Sequence, residues 1–269
     1  MKKLIIWGNC QTAGIAYVFQ RLPEVKSRWE VRHHELWAKE EVLAENLKDF
    51  DDCDVLLLQD LSNWKTHPKC NELHPDTRIV RFPFCYFAAI WPFDGHQNGR
   101  DPAWCLGERD SQFAFQDHLL GRLRTLEANP EQRYIRYRRL DVEGVPDIGR
   151  YARFEEARLR QNDRRLGTSI GQTIIDNYRE TRLFHAITHP VGSLMVQLVN
   201  EIATKLELPA PDLQPFDLDY LGYCQVPVHP KVIEQLGLSW VDENTTYNFH
   251  NRERLTFEEY TRRYIRVYG

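Results

Sequence analysis

No stretch of this chain is apolar for long enough to cross a membrane. The run Leu4-Ile5-Ile6-Trp7 follows two lysines and so imitates the start of a signal peptide. Four residues are too few for the hydrophobic part of one. The expectation is a first strand in a cytoplasmic protein with no transmembrane segment. A C-x-x-C pair is also missing, and the six cysteines show no zinc-like spacing, so no metal is expected. Six cysteines without such pairs suit a reducing compartment. There is no excess of positive charge: 35 Lys and Arg stand against 39 Asp and Glu, a net charge of −4 and a pI near 6.2. That balance argues against general nucleic-acid binding. Internal repeats and low-complexity tracts are absent as well.

What is present is a chain of 269 residues, 42% apolar with seven Trp. That is enough for one α/β domain spanning 1–269 with a sizeable core. Leu4 to Trp7 reads as a strand buried on both faces. Gly8 permits a tight turn, and Ile15, Val18, Phe19 and Leu22 then recur at helical spacing until Pro23. Trp29 to His34 reads as a second strand, Glu40 to Phe50 as a helix, Val55 to Gln59 as a third strand and Thr77 to Phe82 as a fourth. This alternation is the signature of a doubly wound, mostly parallel sheet. Residues 83–110 form a long Pro-, Gly- and aromatic-rich loop, read either as a binding element or as packed surface. Residues 111–180 read as a helical, Arg-rich insertion, with a helix from Gln112 to Ala128. Between Arg133 and Arg165 there are ten Arg and six acidic residues. Most of these Arg are expected to pair with the acids, while some match phosphate geometry. Ser169 to Tyr178 reads as a helix, and Arg182 to Thr188 as a late strand ending in His189-Pro190, before a strong helix through Leu206. Residues 209–269 read as a C-terminal extension ending in a helix.

In such sheets ligands bind at the carboxyl ends of the strands. Cys10 lies at one of these ends and Gln59-Asp60 at another. A thiol at a helix N-terminus has a lowered pKa, and the thiolate is the nucleophile. Cys10 is therefore the candidate nucleophile, expected to be more reactive than the other cysteines. A cysteine after a first strand also serves as a small core residue, and four residues alone do not decide. Nucleophilic catalysis needs a base. His33, His34, His67 and His74 sit in polar stretches and are expected to be exposed. His185 reads as a core histidine. His189, at an element end with Pro after it, is the candidate base. Cys10 and His189 are expected to meet, since strand-to-helix turns of a parallel sheet open on one edge.

Three blocks together resemble the WcbI family of capsular-polysaccharide biosynthesis proteins. They are Gly8-Asn9-Cys10-Gln11 after the first apolar run, Val55 to Asp60, and Arg182-Leu183-Phe184 with Thr188-His189-Pro190 before a helix. The likeness runs over residues 3–206. It implies a three-layer α/β sandwich, SGNH/flavodoxin-like, with a helical insertion and a C-terminal helical extension. It also implies coenzyme A or acetyl-coenzyme A as ligand, and an acyl-CoA-dependent O-acyltransferase that acetylates a sugar or polysaccharide hydroxyl in capsule assembly. By the resemblance, Cys10 matches the nucleophile block and His189 the histidine block. Gly8, Asn9, Cys10, Gln11, Arg182 and His189 are the expected cofactor contacts. Gln59 and the backbone N–H of Cys10 or Gln11 are the expected oxyanion donors. An SGNH hydrolase carries Gly-Asp-Ser where this chain has Gly-Asn-Cys, and an Asp where this chain has Ala186. Asp60, Asp176 or a backbone carbonyl is then left to orient His189. The alternatives are a hydrolase with the same pair, either thioesterase or deacetylase, and a non-catalytic coenzyme A- or glycan-binding module.

Overall fold

The computed structural model describes residues 2–36, 47–95, 113 and 115–268. The chain divides into two compact units that alternate along the sequence. The first comprises Met1–Cys85, Arg160–Thr173 and Val191–Leu221; the second comprises Tyr86–Leu159, Ile174–Pro190 and Gly222–Gly269. The segment 111–180 is thus shared between them. No helix among the described residues is long and apolar enough to cross a membrane.

The first unit is built on four parallel strands: β1 (Lys2–Gly8), β2 (Trp29–Glu35), β3 (Val55–Gln59) and β4 (Arg78–Phe82). Their order is β2-β1-β3-β4. All five residues of β3 are buried, as the unbroken run Val-Leu-Leu-Leu-Gln requires. The two faces separate by parity. Ile5, Trp7, Leu56 and Leu58 pack with Phe50, Cys53 and Trp64. Trp7 meets Trp64 edge-on at 5.1 Å, and His67 stacks on Trp64 at 4.6 Å. This layer comes from three 3-10 helices, Leu47–Phe50, Ser62–Thr66 and Pro68–Asn71. The opposite face carries α1 (Gln11–Phe19) and the helix Gly192–Lys205, which buries Leu194, Met195, Leu198, Val199 and Ile202. The result is the three-layer α/β arrangement. The helix expected over Glu40–Phe50 lies mostly outside the described residues, and its described end, Leu47–Phe50, is a 3-10 helix. With order 2-1-3-4 the winding reverses at β1, so the carboxyl ends of β1 and β3 form the topological switch point where doubly wound sheets hold ligands.

The second unit is mainly helical and differs from the sequence reading in three places. The aromatic stretch after β4 is core, not surface loop: Phe87, Ala88, Ala89, Ile90, Trp91 and Phe93 are buried. The later part of that stretch lies outside the described residues. The helix expected from Gln112 begins at His118, because Asp117 caps it by accepting the Leu120 N–H at 2.8 Å. The late strand is not part of the parallel sheet. Ile187 and Thr188 form a turn, and Phe184–Ala186 pairs antiparallel with His189–Pro190. A two-residue reversal leaves no length for a sheet strand.

This unit also brings two acids together. Asp94 and Asp117 face each other across a two-residue ladder. Tyr137 donates its hydroxyl to Asp117, while Asp94 Oδ2 is buried with no partner among the described residues. Burial pushes Asp117 up to about 6 and Asp94 well above the carboxylate range, with Asp117 adding to the latter shift. Folded protein therefore holds protons that the unfolded chain has already released. This contribution is complete below the unfolded pKa of 3.8 and is lost as pH rises through the folded values. Asp94→Asn is expected to raise the Tm by about 2–8 °C at neutral pH, with the gain shrinking toward pH 4, in a melting series across pH. An equal or lower Tm at neutral pH would contradict this.

Candidate functional site

The turn after β1 is held by the side chains of Gln59 on β3, of Asn9 and Gln11 in the turn itself and of Tyr220, together with the backbone of Cys85. Gly8 is required: a Cβ there would lie 2.5 Å from Gln59 Oε1 and 2.7 Å from Thr12 Cγ2. The Asn9 N–H donates to Gln59 Oε1 at 2.8 Å, and Gln59 Nε2 donates to Gln11 Oε1 at 3.0 Å. Gln11 reaches onward to the chain beyond β4, donating to the Cys85 carbonyl at 2.7 Å and accepting the Cys85 N–H at 3.1 Å. Gln11 and Gln59 are both 0% exposed. These amides form a closed strut beneath the turn, and Cys10, half-buried, sits above it at the N-cap of α1.

The expected open helix N-terminus is not there. Asn9 Oδ1 accepts the Gln11 N–H at 3.0 Å, and the Asn9 carbonyl accepts the Thr12 N–H at 2.9 Å. The Cys10 carbonyl accepts the Ala13 N–H, and the Tyr220 hydroxyl accepts the Gly14 N–H at 3.1 Å while donating to the Cys10 carbonyl at 2.7 Å. The first N–H groups of α1 are therefore engaged by the protein and are not offered to a phosphate. The roles expected of Gln59, Asn9 and Gln11 change accordingly. Gln59 is enclosed and bonded at both ends, so it holds the turn and does not serve as an oxyanion donor. Asn9 and Gln11 likewise spend their side chains on the turn.

The expected standing thiolate is also overturned. Burial pushes the Cys10 thiol up to about 11; the charge of Glu35 raises it further, and the backbone N–H groups of Cys10 and Gln11 oppose this without prevailing. Cys53 reaches about 11 by burial too, so acidity does not single Cys10 out. Its distinction is its place at the switch point.

Three further residues at this site were not singled out in the sequence. His33 Nε2 lies 2.7 Å from Thr12 Oγ1, Glu35 pairs across from Gly8 in register, and Tyr220 bonds the Cys10 carbonyl. The histidines expected to be exposed are mostly not: His33 and His67 are half-buried, His34 is buried 3.0 Å from Asp49, and only His74 of the four is exposed. Burial pushes His67 down to about 4.

His189 belongs to the second unit. It is buried, with its ring edge against Phe115 at 5.3 Å and tilted to Tyr223 at 6.1 Å. Since His189–Pro190 is half of a hairpin, the shared sheet edge that was to bring it to Cys10 does not exist. His185 is buried as expected. The Asp60 carboxylate is gripped by both terminal nitrogens of Arg165, which hold its pKa low, and Asp176 is exposed. Arg182 is half-buried, donates to the Phe184 carbonyl at 3.2 Å, and faces the rings of Tyr247 and Trp240.

The arginine run does not mostly pair with its own acids: Arg136 and Arg158 do, while Arg138 and Arg165 reach carboxylates outside the run. Arg136 bonds Asp141, Arg138 pairs with Glu243, and Arg158 pairs with Glu155 and lies over Tyr86. Arg139, Arg150, Arg153 and Arg164 are exposed and carry no ion pair among the described residues. Arg138 and Arg139 line a groove of about 940 Å³ in the second unit, together with Lys231, Glu234 and Glu243.

Residues 3–211 match the family described as polysaccharide biosynthesis enzyme WcbI. No curated protein matches the chain. A solved structure of WcbI, described as a novel polysaccharide biosynthesis enzyme in its native form without a disulfide bond between coenzyme A and one of its cysteines, is similar with a TM-score of 0.71. The match is 18% identical and covers 99% of this chain and 89% of that one. At that identity the likeness speaks for the fold.

Proposed function

Because the chain belongs to the WcbI family of polysaccharide biosynthesis enzymes, we propose that it is a coenzyme A-dependent acyltransferase acting on a sugar hydroxyl, with Cys10 at the thioester. The observation that carries this reading is the position of Cys10. It is a half-buried sulfur at the switch point of the sheet, fixed from below by the Gln59–Gln11 strut. The solved structure of WcbI is described as the native protein without a disulfide bond between coenzyme A and a cysteine, and the proposal for this chain is a pantetheine sulfur brought to Cys10.

When bound, acyl-coenzyme A supplies an acyl group activated as a thioester. The chain's part is to present Cys10 as a neutral thiol whose sulfur bonds the acyl carbon as the C–S bond to coenzyme A breaks, its proton passing to the departing coenzyme A sulfur. His189 is the proposed base for the acceptor hydroxyl. The phosphates fall to arginines that no carboxylate holds, of which Arg164 lies in the same unit as Cys10. The α1 N-terminus takes no part in holding them, since its donors are already bonded.

Titration calorimetry with coenzyme A tests the binding half of this reading. Binding is expected, with a rise in Tm equivalent to about 2.7 kcal/mol at a hundredfold excess over Kd. No heat and no Tm shift at millimolar coenzyme A would overturn it.

A further inference from the structure

We propose that Glu35 is a positioning residue for Cys10: its carboxylate stands at the strand end across from the turn, opposes negative charge on the sulfur and so slows its reaction. This deepens the reading of Cys10 as the reacting sulfur and rests on it.

The placement follows from strand register. Gly8 pairs with Glu35 of β2, and Ile6 pairs with His33. Side chains two apart share a face. The contact between His33 Nε2 and Thr12 Oγ1 fixes that face as the one covered by α1. Glu35 therefore stands on the α1 side, directly across from a glycine, at the strand end from which the chain turns to Cys10. Because Gly8 carries no side chain, nothing on β1 stands between that carboxylate and the turn.

The second observation is what Glu35 lacks. Asp49 holds His34, Asp52 holds Lys3 and Asp60 holds Arg165. Glu35 makes no ion pair or side-chain hydrogen bond among the described residues. An uncompensated carboxylate beside a half-buried thiol opposes a second negative charge there. The other groups facing Cys10 carry none to offset it. Burial lowers the pKa of His33 against the pull of Glu35, and Tyr220 is raised by burial and by the charges of Cys10 and Glu35. Thr12, Gly14, Gln59 and Cys85 offer only neutral groups, and Arg165 neutralises Asp60. Glu35 is the one charge that weighs on the Cys10 thiol among the described residues.

The test is the pH profile of Cys10 alkylation by iodoacetamide, read by peptide mass spectrometry with Cys53 as internal control. Glu35→Gln is expected to speed labelling of Cys10 at least about threefold near pH 8 and to move the rising limb to lower pH, with Cys53 unchanged. Glu35→Asp, which keeps the charge, is expected to follow the wild type. Glu35→Ala is the second neutral variant should the glutamine variant fail to fold. A neutral variant that folds and overlays the wild-type profile overturns the proposal. Labelling needs no coenzyme A, so a shifted profile in a protein that binds none would uphold Glu35 and sink the acyltransferase reading. Binding with an unshifted profile would do the opposite.

Discussion

Cys10→Ala is expected to lower acyl transfer by about 10³-fold or more while leaving the Tm close to that of the wild type. The structure separates these two outcomes. The Cys10 side chain makes no capping bond to α1, whereas the bonds that hold the turn run through Asn9, Gln11 and Gln59. Removing the sulfur deletes chemistry and spares the scaffold. His189→Ala is expected to cost about 10²–10⁴-fold, the usual contribution of a general base. If the two residues act in one reaction, the double variant falls no further than the worse single variant, because members of a unit are not additive. Losses that multiply would mean that His189 acts elsewhere. Rates of acetyl transfer to a purified capsule acceptor give all four corners of the cycle.

Gln59→Leu is expected to have the largest effect on stability and to reduce activity as well. Leucine keeps the volume but removes both polar ends of the strut. The buried Asn9 N–H loses its acceptor, and Gln11 Oε1 loses the donor at 3.0 Å. Each buried polar group left unpaired costs about 1–3 kcal/mol. Gln11 Oε1 keeps the Cys85 N–H, so the one group left unpaired is the Asn9 N–H, and the cost is about 1–3 kcal/mol, or roughly 2–12 °C in Tm at 2–4 °C per kcal/mol. The turn that carries Cys10 would loosen with it, so the variant's remaining folded fraction should transfer poorly even below its Tm. A variant that melts with the wild type would show that the strut carries no weight.

The centre of the sheet was legible because β1 and β3 carry apolar runs without interruption. Leu4 to Trp7 and Val55 to Leu58 have no solvent face, and burial of such runs leaves little choice but a covered parallel sheet. The helix after Gly8 was equally clear from Ile15, Val18 and Phe19. The reading failed where polar residues do structural work. Asn9 is a favoured capping residue, and its presence already argued that the α1 N-terminus was closed. Gln11 and Gln59 looked like site residues because they flank Cys10 and end β3. They are buried struts, and nothing in a single sequence distinguishes a buried amide from an exposed one. His33 and Glu35 were passed over as the polar end of a half-exposed strand. Parallel pairing with β1 gave a signal for them, since the carboxyl end of β2 must lie beside Gly8. Tyr220 had no such signal, as 210 positions separate it from Cys10. The late strand misled because Phe184 to Ala186 has strand composition, while the turn at Ile187 and Thr188 that reverses it carries neither Gly nor Asn.

The proposed chemistry requires the sulfur of Cys10 to meet the thioester of an acyl-coenzyme A. A crystal structure of the protein with a non-hydrolysable acetyl-coenzyme A analogue measures this directly. The analogue's carbonyl carbon is expected about 3–3.5 Å from Cys10 Sγ, the range of a near-attack arrangement. A pantetheine arm that ends away from the switch point of the sheet, with Cys10 untouched, would contradict it.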